Sequence, residues 1–351
     1  MNTLQSTIEK ITPINEAFIQ KAQQRLDSLT KPQGSLGRLE SVAKQIVGIT
    51  ENEHPSLKNK VIFTFAGDHG VTAEGVSAFP SDVTVQMVYN FLAGGAAINV
   101  LARQVGARVV VADLGVAVDL NPHPDLVIKK VNYGTHNMAK APAMSHHEAV
   151  QSIENGIKIF ETAFENGIDI AATGDMGIGN TTASSAITAV LTGAQVDAVA
   201  GRGTGLDEKA LWHKCRIIQQ AITVNHPDQA DALDVLAKVG GFEIGGLAGV
   251  ILAAAAHRVP VVIDGFISGA AALIAYHLAP LSKDYMIAGH CSEEKGHKIL
   301  LEHLKLIPLL DLNLRLGEGT GAALAIPFLE ASIKILTEMA TFHSAGVSEK
   351  K

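Results

Sequence analysis

Residues 61–68 read VIFTFAGD, an apolar run that ends in a small residue followed by an aspartate. The same pattern returns in ARVVVADLG (107–115), IDIAATGD (168–175), VPVVIDG (259–265) and, more weakly, YMIAGH (285–290), and segments of helical periodicity lie between these runs. Continuous apolar strands that alternate with helices are typical of parallel sheets covered by helices on both faces. The sequence therefore predicts an α/β fold with a mostly parallel sheet flanked by helices.

The composition excludes several classes of protein. The 351-residue chain is 47% hydrophobic and 18% charged, which indicates a globular protein and not a disordered one. Its formal net charge is −7 and it has no long basic run, so nucleic acid is not expected as a partner. The N-terminus shows no signal-peptide pattern, and the longest apolar stretch, residues 244–256, is too short to span a bilayer. We therefore expect a cytoplasmic protein without a membrane span.

Both terminal segments lie outside the alternation of strands and helices. Apolar residues recur at helical spacing over residues 5–26, and a last helix is expected over residues 320–341. We expect these segments to pack together. The predicted organisation is an α/β domain of residues 51–325 beside a small helical subdomain, residues 1–50 with 326–351.

Acidic side chains and one histidine stand where the predicted strands end. In parallel α/β sheets, ligands bind beyond the carboxyl ends of the strands. The residues at those ends are Asp68, Asp113, Asp175, Asp264 and His290. We expect the active site to be built from them and from the loops beside them.

Two glycine-rich loops each lead into a predicted helix. GDMGIGNTTASSAI (174–187) enters its helix through Asn180, and GRGTGLDEKALWHK (201–214) enters through Asp207, with Lys214 two turns further on. Free N–H groups at a helix N-terminus suit phosphate, and glycines let the backbone approach it closely. One interpretation is a phosphate between the two loops, with Lys214 as its counter-charge. The other is a pair of ordinary capped turns, with Lys214 on a solvated face.

A single carboxylate stands among glycines in LRLGEGTGAALA (314–325). Gly317 and Gly319 flank Glu318 and permit unusual backbone angles beside it, and a helix is expected to begin just after. Glu318 is then either a base held close to a ligand or a solvated loop carboxylate.

Neighbouring aspartate and histidine residues raise the alternative of a metal-dependent hydrolase. Its candidates are Asp68 and His69 in AGDHGV, and Asp264 and His290 at two other strand ends. These motifs contain no HxxxH or HExxH spacing, and the two cysteines are too few for a multi-cysteine zinc site. No metal is therefore predicted.

Seven segments, in chain order, resemble the nicotinate-nucleotide–dimethylbenzimidazole phosphoribosyltransferase family, which acts in the nucleotide-loop branch of cobalamin synthesis. GDMGIGNTT and RLGEGTGAALA are the most specific of them. The segments are KPQGSLGRLE (31–40), AGDHGV (66–71), GDMGIGNTT (174–182), KVGGFEIGGLAG (238–249), VPVVIDGF (259–266), SEEKGH (292–297) and RLGEGTGAALA (315–325).

The resemblance implies transfer of ribose 5-phosphate from nicotinate mononucleotide to 5,6-dimethylbenzimidazole, giving α-ribazole 5′-phosphate and nicotinate. It implies that Glu318 is the general base and that Asp175, where the family's familiar form has glutamate, supports it. It also implies a Rossmann-like α/β domain, a small helical domain and a homodimer. The expected contacts to phosphate and ribose are Gly177, Gly179, Asn180, Gly201, Gly203, Lys214 and Ser292. Phe79, Met87 and Leu316 are expected to wall the flat benzimidazole.

The chemistry of this transfer needs one carboxylate base. The ring nitrogen of nicotinate is quaternary in the nucleotide, so nicotinate leaves C1′ without a general acid. The attacking benzimidazole loses its N–H proton, which a carboxylate within hydrogen-bond reach accepts. Attack opposite the leaving base inverts C1′, and no metal or redox cofactor is required. Two further alternatives stay open, namely a related phosphoribosyltransferase with another acceptor base and a nucleotide-binding protein without catalysis.

Overall fold

The computed structural model describes residues 3–203 and 205–348. Strands and helices alternate in it as the apolar runs predict. The strands are β1 (Lys60–Gly67), β2 (Ala107–Gly115), β3 (Leu126–Ile128), β4 (Ile170–Met176), β5 (Val261–Ile263) and β6 (Met286–Ala288). The helices are α1 (Thr3–Ile8), α2 (Glu16–Asp27), α3 (Arg38–Thr50), α4 (Asp82–Leu92), α5 (Ala97–Val105), α6 (His146–Phe164), α7 (Asn180–Thr192), α8 (Val196–Val199), α9 (Glu208–Asn225), α10 (Ala232–Val239), α11 (Phe242–Ala256), α12 (Phe266–Leu278), α13 (Lys295–Leu304), α14 (Thr320–Glu338) and α15 (Phe342–Ala345).

These strands form one parallel sheet of six in the order β3-β2-β1-β4-β5-β6. This is the strand order of the Rossmann fold, in which the direction of winding reverses between β1 and β4. The predicted α/β class and parallel sheet are therefore confirmed. The sequence patterns missed β3, because an edge strand of three residues is too short to show an apolar run.

Alternate residues of β1 point into two separate layers of the core. Phe63 and Phe65 pack toward α6 and α11, whereas Ile62 and Ala66 pack toward α3, α5 and α14. A strand that is buried on both faces carries apolar side chains at every position. This double burial explains why VIFTFAGD shows no alternation of polar and apolar residues.

Helices α6 and α11 approach each other closely at glycines. Helix α11 is buried along nearly its whole length. Any side chain at Gly156 of α6 would clash with the backbone carbonyl of Gly246 in α11. The two backbones can approach this closely only because no Cβ stands between them.

Segments from both ends of the chain pack together. Helices α2, α3 and α14 contact one another, and Arg25 of α2 donates hydrogen bonds to the carbonyls of Leu336 and Met339. Helix α14 also packs on α5, β4 and β5, so it joins the terminal helices to the sheet. The division of the chain near residues 50 and 325 stays a prediction.

Two helical stretches, Asp82–Val105 and Thr320–Glu338, are long and apolar enough to cross a membrane by length and composition alone. The first is divided into α4 and α5 around Gly94 and Gly95. The second buries most of its apolar residues in the core. Core helices of globular proteins meet the same criteria, so these stretches are weak evidence for a membrane span.

Replacing Gly156 by alanine should destabilise the protein, although alanine favours helices over glycine. The added methyl group would push α6 away from α11, and overpacking of this kind costs about 1–3 kcal/mol in the free energy of unfolding. Urea denaturation followed by circular dichroism measures the change. The control is Lys158→Ala at an exposed position of α6, where we expect a change within about 0.5 kcal/mol. Wild-type stability in Gly156→Ala would contradict the close approach.

Candidate active site

A cavity of about 540 Å³ opens at the carboxyl ends of β4, β5 and β6. Its walls come from the segments that follow these strands, from the turn before α14 and from the start of α4. Small-molecule sites enclose about 300–1,000 Å³, so the cavity has the size that a nucleotide needs. Its position is where parallel α/β sheets bind their ligands.

The turn before α14 is built from three consecutive residues with left-handed backbone angles. The φ angles of Gly317, Glu318 and Gly319 are +87°, +64° and +98°. Glycine adopts this region freely, whereas a residue with a side chain does so at a cost of about 1–3 kcal/mol. Such strain concentrates at functional sites. From this turn Glu318 lines the cavity.

Glu318 is buried and is held through its backbone and its side chain. Its N–H donates to the carbonyl of Asp175 at 3.1 Å, and its carbonyl accepts from the hydroxyl of Thr64 at 2.9 Å. Its Oε2 accepts the N–H of Ile98, at the start of α5, at 3.1 Å. Burial raises the pKa of Glu318, the Ile98 N–H opposes the rise, and the charge of Asp264 adds to it. A raised pKa makes this carboxylate a stronger base.

The carboxyl group of Asp175 lies in the same cavity at the end of β4. Its Oδ2 accepts a hydrogen bond from the amide of Asn180 at 2.9 Å, while Oδ1 is buried and has no partner among the described residues. Burial raises the pKa of Asp175 well above its ordinary value, and neighbouring carboxylates, Asp264 first among them, add to the rise. Asp175 therefore tends to keep its proton.

Asp264 connects the end of β5 to the turn that carries Glu318. Its Oδ2 accepts the N–H of Gly319 at 3.1 Å, and its Oδ1 accepts the N–H of Ala322 at 2.9 Å. The first N–H groups of a helix have no partner inside the helix, so Asp264 satisfies the start of α14. His290 lies 3.7 Å from the same carboxylate. This arrangement fixes where α14 begins and therefore where Glu318 lies.

The residues of the metal-hydrolase alternative are engaged elsewhere. His69 lies 2.7 Å from Glu243, and Asp68 accepts the N–H of Ala117 at 2.9 Å, whereas Asp264 bonds to α14. Within residues 3–203 and 205–348, no group of three or more histidine, cysteine, aspartate or glutamate side chains is arranged to hold a metal ion. The structure gives this alternative no support.

Lys214 reaches from α9 to the start of α7. Its ammonium donates to Oγ1 of Thr181 at 2.9 Å and to the carbonyl of Gly201 at 3.3 Å. The interpretation of Lys214 as a solvated residue is wrong, because its side chain is completely buried. Burial lowers the pKa of Lys214 to about 8, and the charge of Glu294 opposes that fall. Asp207 caps α9 as expected, so the two glycine-rich loops meet at a buried cation.

Comparison with known proteins identifies the family. A family model described as phosphoribosyltransferase matches residues 11–347. A nicotinate-nucleotide–dimethylbenzimidazole phosphoribosyltransferase from Desulforudis audaxviator is 59% identical over 351 residues, which cover 100% of this chain and 99% of that protein. One of the same name from Chloroflexus aurantiacus is 59% identical over 350 residues, 100% of each chain. The chain belongs to this phosphoribosyltransferase family.

The fold of this phosphoribosyltransferase is similar to that of a solved structure. The crystal structure of CobT from Thermus thermophilus is 46% identical in sequence and superposes with a TM-score of 0.92. The match covers 95% of this chain and 100% of that one. The chain is accordingly an enzyme of the pentosyltransferase class.

Most positions singled out for the phosphoribosyltransferase site meet at the cavity. Gly179, Gly201 and Lys214 do not line it. Gly179 packs beside His69. The ammonium of Lys214 donates a hydrogen bond to the carbonyl of Gly201, and neither residue lines the cavity. The roles of all these residues stay predictions. The expected residues that line the cavity are Phe79, Met87, Asp175, Gly177, Asn180, Gly203, Ser292, Leu316 and Glu318.

Thr181, Glu294 and Arg315 are among the cavity residues to which the sequence assigned no role. The hydroxyl of Thr181 accepts a hydrogen bond from the ammonium of Lys214, Glu294 lies beside Gly201, and Arg315 donates a hydrogen bond to the carbonyl of Gly203 at 3.1 Å. Each belongs to a motif that the sequence already marked, namely GIGNTT, SEEKGH and RLGEG. The motifs gave the right segments, but only the fold shows which member of each segment faces the cavity.

Asp175→Asn should make folding stability less sensitive to rising pH. The pKa of Asp175 is raised in the folded state, so the folded protein holds a proton that the unfolded chain releases above a pH of about 4. As the pH rises from about 4 toward the pKa of Asp175 in the folded protein, wild type therefore loses up to about 1.4 kcal/mol in the free energy of unfolding per pH unit. Asparagine cannot titrate, and the variant should lose less.

Guanidinium unfolding of wild type and Asp175→Asn between about pH 5 and pH 8 measures this difference, over a range that starts above the ordinary aspartate pKa. Asp311→Asn, at an exposed position, should keep the wild-type slope. Equal slopes in wild type and Asp175→Asn would show that Asp175 holds no such proton.

Proposed function

We propose that this enzyme transfers the ribose 5-phosphate of nicotinate mononucleotide to 5,6-dimethylbenzimidazole, giving α-ribazole 5′-phosphate and nicotinate. The observation that carries the proposal is the placement of Glu318, a buried carboxylate in a strained turn that lines a cavity shared with the glycine-rich start of α7. The names of the relatives supply the substrates. The cavity offers a base at one place and anion-binding groups at another, as this reaction requires.

The phosphate of the nucleotide binds, in this proposal, where α7 meets the loop before α9. Gly177 and Asn180 line the cavity at the N-terminus of α7, whose N–H groups and dipole favour an anion. Ser292 lines it with a hydroxyl, and Lys214 lies behind with the buried positive charge. Gly203 lets the two loops approach, because a side chain there would lie against Oγ1 of Thr181, whereas Gly179 packs against His69 and Gly201 against Glu294.

Glu318 acts as the general base in this proposal. Benzimidazole attacks C1′ opposite the quaternary nicotinate, the C1′–N bond to nicotinate breaks with its electron pair going to nicotinate, and C1′ is inverted. The N–H proton of the benzimidazole passes to Glu318. The raised pKa of Glu318 supports the role, because burial favours the protonated form that this step produces. Its charge also stabilises positive charge that develops at C1′.

Asp175 supports this step as a hydrogen-bonding group and not as a second base. A carboxyl group that keeps its proton donates a hydrogen bond but does not accept a proton. Its buried Oδ1 has no partner within the described part of the chain, which leaves it available to a polar group of the substrate. Asn180 fixes the orientation of the carboxyl group.

The flat acceptor base lies, in this proposal, against Phe79, Met87 and Leu316, which line the cavity with apolar surface. Phe79 is 51% exposed and Leu316 is 58% exposed, so this wall is open to solvent. An open apolar wall suits coverage by a second subunit. We therefore propose a homodimer. For the transfer described above, which requires no metal or redox cofactor, we propose an enzyme that works in the cytoplasm.

Glu318→Gln should bind nicotinate mononucleotide but lose transfer. Glutamine has nearly the same shape, but it cannot take a proton, so kcat for nicotinate release should fall about 10²–10⁴-fold with little change in KM. Chromatographic measurement of nicotinate under steady-state conditions tests this. Glu338→Gln, at an exposed position of α14, is the matched control and should keep the wild-type rate. Full activity in Glu318→Gln would overturn the assigned base.

Phe79→Ala should raise the KM for 5,6-dimethylbenzimidazole more than the KM for nicotinate mononucleotide. Loss of about 1.5 kcal/mol of apolar burial corresponds to roughly a tenfold increase. Phe328→Ala removes an exposed aromatic ring of α14 away from the cavity and should change neither constant.

Repeating the assay with adenine and phenol as acceptors tests the choice of acceptor base. Transfer to one of them with no transfer to any benzimidazole would contradict the proposed reaction and favour a related phosphoribosyltransferase.

A further inference from the structure

Glu294 is a buried carboxylate that the proposed reaction does not use. It stands immediately before α13, lines the cavity and is only 6% exposed. Its Oε2 is buried and has no hydrogen-bond partner within residues 3–203 and 205–348. A buried carboxylate oxygen without a hydrogen-bond partner is unfavourable. A ligand that donates a hydrogen bond to this oxygen would therefore stabilise the site.

The neighbours of Glu294 are residues proposed to hold the phosphate. Its carboxyl group packs against Gly201, where any side chain would clash with Oε2. Its backbone N–H donates to Oγ of Ser292 at 3.4 Å. The ammonium of Lys214 bonds to the carbonyl of the same Gly201, and the charge of Glu294 affects the pKa of that ammonium. A phosphate that contacts Ser292, with the charge of Lys214 behind it, therefore also meets a carboxylate.

The buried side chains at this end of the cavity supply little net positive charge for a fully ionised phosphate. Lys214 contributes a buried positive charge and Glu294 a buried negative one, so the two offset each other. Arg315 is exposed, where solvent screens its charge. His297 accepts the N–H of Ser292 and stays neutral, because burial lowers its pKa to about 3. The other ionisable groups nearby are Asp175, His290 and Glu318 on the lining and Cys215 beside Lys214.

We propose that Glu294 selects the monoanionic form of the substrate's phosphate by accepting a hydrogen bond from its remaining P–O–H group. The inference rests on the proposed function, because it names the residue that recognises the phosphate of nicotinate mononucleotide. A proton shared between phosphate and Glu294 gives the carboxylate its missing partner and leaves one negative charge on the ligand. Sulfate keeps no proton near neutrality, so its bare oxygens face Glu294 and it is excluded.

Binding through a shared proton depends on pH in a defined direction. A phosphate monoester loses its second proton at a pH of about 6. Above that pH the ligand takes up a proton as it binds, so its affinity should fall by up to about tenfold per pH unit. Lys214, with a pKa of about 8, keeps its positive charge from this pH of about 6 up to a pH of about 7.

Isothermal titration calorimetry with inorganic phosphate and inorganic sulfate tests the proposal on the whole protein and does not depend on transfer activity. At a pH of about 6.5, wild type should bind phosphate at least about tenfold more tightly than sulfate. Glu294→Gln should bind the two anions about equally, because the amide N–H of glutamine donates to bare oxygens. Glu293→Gln changes the exposed neighbour and should keep the wild-type preference.

Equal binding of both anions by wild type, or an unchanged preference in Glu294→Gln, overturns the proposal. If Glu294→Gln weakens binding of nicotinate mononucleotide alone and keeps the anion preference, then Glu294 contacts the ribose hydroxyls and the proposal is wrong. If the variant does not fold, the preference of wild type and its decline with pH decide the matter. A wild type that releases no nicotinate contradicts the proposed transfer, while the anion preference still tests Glu294.

Discussion

The carboxylate of Asp264 accepts two backbone N–H groups at the start of α14, and the position of Glu318 depends on these bonds. Two further strands hold the same turn, because Thr64 of β1 and Asp175 of β4 bond to the backbone of Glu318. Hydrogen bonds from three neighbouring strand regions therefore stabilise left-handed angles that a glutamate disfavours. A carboxylate fixed in this way needs little reorganisation when a ligand binds, which suits the base role proposed for Glu318.

The ionisable groups at and behind the cavity wall form two sets. Three carboxyl groups lie close together around the turn before α14, and burial raises the pKa values of Asp175, Asp264 and Glu318. Neighbouring carboxylates add to the rise for Asp175 and Glu318. In the reaction proposed above, the carboxylate of Glu318 stabilises the positive charge that develops at C1′ as nicotinate leaves. The buried ammonium of Lys214 stands instead beside the glycine-rich loops, where a phosphate is expected. With Glu294 beside it, that end also has a group able to distinguish one anion from another.

Much of the fold was predictable because strands that are buried on both faces are recognisable in the sequence as continuous apolar runs. The runs at residues 61–68, 107–115 and 168–175 form the central strand β1 and its neighbours β2 and β4, whereas β3 has too few residues to show a pattern. The burial of Lys214 could not be predicted from the residue pattern. Its spacing on α9 is equally compatible with a solvated face, and burial was decided by α7 packing against α9.

The sequence by itself determined the α/β class, the segments that carry the chemistry and the glycines around Glu318, since strand burial and backbone freedom are local properties of residue type. Tertiary structure decided the strand order, the burial of Lys214, and the pairing of Asp264 with α14. It also decided that Oε2 of Glu294, which has no hydrogen-bond partner within residues 3–203 and 205–348, lies beside Gly201 of the second glycine-rich loop. These features join residues far apart in the chain, and solvent exclusion and charge interactions between such residues exist only once the sheet has brought its strand ends together.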